Sequence, residues 1–254
     1  MREDILEQLS AIEREHDIRI IMAVEAGSRA LGYASDGSDY DVRFIYVHRA
    51  EWYLSISPGR DVIEMPVNET FDINGWDIRK ALQLARKSNI SVSEWLQSPI
   101  IYHVDKDLVQ ILRRAMQHGF QPAASGRHYL SVARNNMHKT SRDVVRTKWY
   151  LWTVRPLLCC RWVLERASPP PMAYRELLNE FLADSEVGRI VHELLDEKQA
   201  NQGSVTMCQH PALDEFTTSE YSRLSTMCSE NAPLANEALF DNAFRAIIAN
   251  TKWL

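Results

Sequence analysis

Residues 23–47, AVEAGSRALGYASDGSDYDVRFIYV, constrain this chain more than any other stretch. A Gly-Ser pair (Gly27, Ser28) precedes an alternating acidic pair (Asp39, Asp41), and a β-type apolar run lies on each side. Successive side chains of a strand point to opposite faces, so Asp39 and Asp41 project the same way, about 7 Å apart along the chain. Two carboxylates on one face, opposite a turn of small residues, suit a site where divalent metal ions hold a nucleoside triphosphate. Glycine at position 27 lets backbone approach phosphate with no Cβ in the way. The Ser28 hydroxyl and the amides that follow it can donate to phosphate oxygens. Magnesium, or manganese in its place, prefers carboxylates completed by substrate phosphates, which Asp39 and Asp41 can supply. Two such ions stabilise the attacking and leaving oxygens of an in-line displacement.

That chemistry calls for a third carboxylate to share a metal and take the acceptor's proton. Asp72, inside the next strand, is preferred; Asp77 is the alternative, but serves equally as a helix N-cap, and Glu69 is a weaker third. Arg43 shares the strand face of Asp39 and Asp41. Two readings stand for it, a triphosphate contact and an ion pair with those aspartates. Arg29 and Glu25 flank the Gly-Ser turn as orienting groups.

Periodicity organises the rest of the chain. A helix over 1–16, a β-branched strand over 18–26, a short helix after the turn and a second strand over 40–47 make the first half α/β. Segments 62–67 and 69–74 read as a hairpin, with Pro66 at an edge or bulge. Asp77 opens a helix over 78–87, and Ser91 with Glu94 forms a capping-box pattern for a short helix to residue 96. Beyond residue 104 the pattern is helical: 107–118, 126–154, 157–166, 172–182, 186–199 and 234–250, with Pro156 ending or kinking the long basic helix. The expectation is a mixed-sheet α/β catalytic domain over 1–104 and an all-helical domain over 105–254 closing the cleft.

Charge qualifies the partners. The chain carries −5 overall, yet residues 127–166 hold nine Lys/Arg against Asp143 and Glu165, so the remainder carries −12. Arg127, Arg134, His138, Arg142 and Arg146 keep to one helical stripe, with Tyr129, Trp149, Tyr150 and Trp152 close by, a combination that suits triphosphate or an RNA backbone. A solvated face is the plainer explanation. No apolar run is long enough to span a bilayer and no secretory leader is visible, so a cytoplasmic protein with reduced thiols at Cys159, Cys160, Cys208 and Cys228 is expected.

Four blocks, GSRALGYASDGSDYDVRFIYV (27–47), FDINGWDIRKAL (71–82), SNISVSEWLQSPIIY (88–102) and KWYLWTVRPLLCCRW (148–162), together resemble the predicted nucleotidyltransferases of the DNA polymerase β superfamily labelled an RNA-repair-pathway family. The resemblance covers residues 22–170. It implies a nucleotidyltransferase fold, an NTP substrate and a link to RNA repair, with Asp39, Asp41 and Asp72 as catalytic metal ligands. Gly27, Ser28, Arg29 and Arg43 would then bind nucleotide, joined by Lys148 and Arg155 from the fourth block. Two alternatives share the fold: modification of a protein or small-molecule hydroxyl, and a non-catalytic binder of nucleotide or RNA.

Overall fold

The computed structural model describes residues 1–66, 70–140, 144–200, 206–228 and 234–253. The chain forms two compact units: one holds residues 1–27, 39–120 and 234–254, the other residues 28–38 and 121–233.

The first unit is built on β1 (Ile18–Glu25), β2 (Tyr40–His48), β3 (Val62–Glu64), β4 (Phe71–Asp77) and β5 (Ile101–Val104). They form a mixed sheet in the order β3-β4-β2-β1-β5, in which only β2 and β4 are parallel. The near-continuous apolar run of β2 follows from burial on both faces. Val42, Phe44 and Tyr46 point to one side and pack with Ile5, Leu9 and Ile12 of α1 (Arg2–His16). Ile45 and Val47 point to the other side, under α4 (Ile78–Arg86), α5 (Ile90–Gln97), α6 (Lys106–Gly119) and the last helix, Glu237–Asn250. A register shift between Ile20 and Met22 inverts the alternation of β1, so that Met22 and Val24 share the side of Ile45 while Ala23 shares the side of Phe44. Short helices α2 (Gly27–Ala30) and α3 (Ala50–Tyr53) follow β1 and β2.

The second unit comprises α7 (Pro122–Thr140), α8 (Thr147–Arg166), α9 (Tyr174–Leu182), α10 (Glu186–Ala200) and α11 (Pro211–Met227), with a two-stranded ribbon of β6 (Val144–Arg146) and β7 (Thr206–Cys208); Glu237–Asn250 is α12. Helix α8 is its axis, burying Tyr150, Leu151, Val154, Leu157, Leu158, Cys159, Cys160 and Val163. Segment 28–38 lies with these helices: Tyr174 N–H donates to the Leu31 carbonyl at 3.1 Å, and the Tyr33 and Tyr174 rings meet edge to face.

Several local expectations change. Helices α6 and α12, which the sequence places with the helical half, bury their apolar faces against the sheet. The capping box at Ser91 gives way to Asn89, whose Oδ1 accepts from the amides of Ser91 and Val92. The single basic helix over 126–154 is two helices broken at Thr140, so the stripe of cations ends at His138, and Arg142 lies outside the described residues. Pro156, expected to end or kink the basic helix, sits inside α8. Proline has no N–H for the carbonyl four residues back. That carbonyl, on Trp152, instead accepts from Asn136 Nδ2 of α7 at 2.9 Å. Among the described residues no helix is long and apolar enough to cross a membrane.

Candidate active site

The turn after β1 and the start of β2 clasp each other. Ala26 N–H donates to the Asp41 carbonyl at 2.8 Å, and Asp41 N–H donates to Glu25 Oε1 at 2.8 Å. Gly27 has φ 55°, in the left-handed region that favours glycine. A Cβ there would lie 1.9 Å from Asp41 Oδ2, so the missing side chain is what leaves room for the carboxylate.

Glu25 is fully buried. Besides Asp41 N–H it accepts the Tyr102 hydroxyl on Oε2, while its main-chain carbonyl accepts from Ser98 Oγ at 2.6 Å. An acid inside an apolar strand is the sequence signal for such a clasp; the partners Tyr102 and Ser98 carry none. Glu25→Ala would leave Asp41 N–H and the Tyr102 hydroxyl without this acceptor, at about 1–3 kcal/mol per buried group. We expect urea unfolding to show a loss of at least about 2 kcal/mol. Glu25→Gln should be milder, since an amide can accept from Asp41 and donate to a reversed Tyr102 hydroxyl. Equal losses in the two variants would show that packing, not acceptor capacity, is what Glu25 provides.

The parallel register sets Asp41 opposite Asp72. The Arg43 guanidinium lies between them, donating to Asp41 Oδ1 at 3.0 Å and to Asp72 Oδ2 at 2.7 Å, and to the carbonyls of Asp72 and Val42. These are half-buried charges, with side-chain exposures of 15% for Arg43, 23% for Asp41 and 29% for Asp72. Asp39, one residue ahead of β2, is exposed and has the strand parity of Asp41. Burial pushes the Asp41 carboxyl above its ordinary value; Arg43 opposes this, while Asp39 and Asp72 add to it.

Hard carboxylate oxygens beside a Cβ-free turn fit a magnesium or manganese ion that substrate phosphates complete. A closed protein cage is not what they form: among the described residues no group of three His, Cys, Asp or Glu side chains is arranged to hold a metal. Arg43 occupies the space between the paired acids, holding both in place.

Asp77 is elsewhere. It stands five positions after Asp72, an odd offset, so the two point to opposite faces of β4, about 17 Å apart along the strand. Asp77 pairs in register with Tyr46, is fully buried, accepts the Tyr53 hydroxyl at 2.7 Å and caps α4 through Arg79 N–H at 2.8 Å. Burial pushes its carboxyl up to about 6, against the hydrogen bonds and the Arg79 charge, which pull it down. A carboxyl raised on folding favours the protonated native state. Its contribution is therefore fully present below the unfolded value near 3.8 and is lost as pH rises through about 6. Between pH 4 and pH 7 the wild type should lose about 2 kcal/mol relative to Asp77→Asn, at 1.36 kcal/mol per pK unit and with part of the effect already gone at pH 4. Parallel urea-derived stability profiles for the two proteins would contradict this.

Within the other unit, the Ser28 carbonyl accepts from Tyr33 N–H and Arg29 Nη2 donates to the Ser38 carbonyl at 2.6 Å. Lys148 is half-buried, its Nζ 5.0 Å from the Trp152 ring centroid, and Arg155 is 7% exposed. Glu69 lies outside the described residues.

Residues 1–242 match the family described as RlaP, the RNA repair pathway DNA polymerase beta family. The chain is 38% identical over 231 residues to the uncharacterized protein YcgL of Bacillus subtilis (strain 168), covering 91% of this chain and 89% of that one. A solved nucleotidyltransferase-like protein from Exiguobacterium sibiricum 255-15 aligns over 95% of this chain and 86% of its own, at 13% identity and a TM-score of 0.30, a likeness too slight to carry argument.

Proposed function

Because the chain belongs to the RNA repair pathway DNA polymerase beta family, a group of polymerase beta-like nucleotidyltransferases, we propose that it transfers a nucleoside monophosphate from an NTP to an acceptor hydroxyl. The observation that carries this reading is the pairing of Asp41 with Asp72 across parallel strands, beside a glycine turn that a Cβ would drive into Asp41. In the transfer, the acceptor oxygen forms a bond to the α-phosphorus, the bond from that phosphorus to the β-phosphate oxygen breaks, and pyrophosphate leaves. Asp39, Asp41 and Asp72 would hold magnesium or manganese, which when bound supplies charge stabilisation to the attacking and leaving oxygens. Asp72 takes the acceptor proton. The Gly27 backbone, the Ser28 hydroxyl and Arg29 receive the triphosphate, and Lys148 and Arg155 of α8 add positive charge for phosphate. Arg43 is the counter-ion that keeps Asp41 and Asp72 together before substrate arrives, and its guanidinium is then within reach of the triphosphate those acids bind. Family membership and the basic segment 127–166 support RNA as the acceptor and RNA repair as the setting.

The test is incubation of the pure protein with each α-phosphate-labelled NTP, magnesium or manganese, and RNA or total cell extract. Label on RNA that disappears in Asp39→Ala is the expected result and names the nucleotide. Label on protein or a small molecule would keep the transfer and replace the acceptor. No NTP binding at all would overturn the reading.

A further inference from the structure

We propose that the paired helices α7 and α8 bind a single-stranded nucleic acid, with Trp152 as the stacking platform for a base and Lys139 of α7 and Lys148 of α8 as the phosphate contacts beside it. The inference deepens the acceptor side of the function proposed above, and its readout is binding, which transfer does not enter.

Trp152 is 40% exposed, although the rest of α8 forms the axis of its unit. Its ring is not a lone surface apolar group. Lys148 Nζ lies 5.0 Å and Lys139 Nζ 5.8 Å from its centroid, within cation–π range. One turn before it, Arg146 lies 5.8 Å from the Trp149 ring centroid. Neither Lys139 nor Lys148 has a carboxylate within ion-pair distance among the described residues, whereas Arg161 and Arg166 farther along α8 pair with Glu165 and Glu180. Two ammonium groups with no acid beside them among the described residues, set around an exposed indole, want an anion and a flat π surface together. A nucleotide strand supplies both, and its bases are open to stacking only when it is single.

The arrangement is also held in place. The Pro156 gap leaves the Trp152 carbonyl free, and Asn136 Nδ2 takes it at 2.9 Å. The same Asn136 accepts Lys139 Nζ on Oδ1 at 3.2 Å. One amide thus fixes both the backbone under the indole and the ammonium beside it. An acidic peptide could satisfy the lysines, but it would leave the indole without the planar partner that its exposure offers.

Fluorescence anisotropy with labelled 12-nucleotide single strands of RNA and of DNA, and with a duplex of the same length, tests this between 50 and 200 mM salt. The wild type should bind single strands more tightly than duplex. Trp152→Ala should weaken binding about tenfold or more, and Trp152→Phe should keep most of it. The pair Lys139→Gln and Lys148→Gln together should weaken binding and lower the slope of log affinity against log salt by about 1.4, near 0.7 per phosphate contact. Equal affinity for RNA and DNA supports a strand recognised by phosphate and base; preference for RNA adds a ribose contact and supports an RNA acceptor. No binding at 50 mM salt, equal affinity for duplex, or a folded Trp152→Ala variant within twofold of wild type would overturn the proposal. Loss of strand binding with label transfer to another acceptor intact would sink this inference alone, whereas strand binding by a protein that binds no NTP would sink only the transfer reading.

Discussion

Asp41→Asn is expected to abolish nucleotidyl transfer, by about 10³-fold or more, in a protein that melts no lower than the wild type at pH 7. The substitution keeps the shape of the side chain and an oxygen that can accept from Arg43, and removes only the charge. Phosphoryl-type transfer leaves little for a protein to do except position groups and stabilise charge, so one carboxylate of the site is worth several kcal/mol of barrier. At 1.36 kcal/mol per tenfold, about 4 kcal/mol is a thousandfold. Stability moves the other way. Burial raises the Asp41 carboxyl more than Arg43 lowers it, so the folded protein favours the protonated form. That contribution is present below the unfolded value and lost as pH rises through the folded one, so the ionised, partly desolvated carboxylate is the form that folding disfavours. Asparagine carries no such charge, and Arg43 keeps its 2.7 Å pair with Asp72. Label transfer and a thermal melt at pH 7 measure the two halves. Activity within tenfold of wild type would remove Asp41 from the proposed chemistry, and a clearly lower melting temperature would remove the burial argument.

How much of this was legible in the sequence depended on the range of the interaction. Gly27, Asp39 and Asp41 are readable because the period of a strand fixes their relation locally. The choice between Asp72 and Asp77 was legible in principle: an odd separation in one strand forbids a shared face, and the structure has them on opposite faces of β4. What no local rule supplies is that β4 pairs in parallel with β2, setting Asp72 beside Asp41 across about thirty residues of intervening chain. Glu25 stands out as an acid in an apolar run, yet its partner Tyr102 lies on β5, four residues that carry too little pattern to be read as a strand. The continuation of α8 through Pro156 has a tertiary cause. Asn136 satisfies the carbonyl that proline strands, and an N–H donor sixteen residues away leaves no periodic trace. Helices α6 and α12 read correctly as helices, but which core they cover is settled by the sheet face left open, not by their own sequences.

Gly27→Ala should lower transfer by about 100-fold or more and stability by roughly 1–3 kcal/mol. Two costs add. The left-handed φ of 55° costs any residue with a Cβ about 1 kcal/mol relative to glycine. The second cost is specific: the new methyl would sit 1.9 Å from Asp41 Oδ2 and 2.8 Å from its Cγ, distances that real contacts do not reach. Either the Asp41 side chain swings away, breaking its 3.0 Å bond from Arg43, or the turn retreats and takes with it the bond from Ala26 N–H to the Asp41 carbonyl. Both routes misplace the proposed metal-binding carboxylate, and small displacements of a reacting constellation cost rate steeply. Gly32→Ala separates the two costs, because Gly32 has φ 81° but nothing within 4 Å of where its Cβ would be. It should lose about 1 kcal/mol in urea unfolding and leave transfer close to wild type. If Gly27→Ala behaved like Gly32→Ala, destabilised but fully active, the glycine would be serving only the turn, and the close approach to Asp41 would have no part in the chemistry.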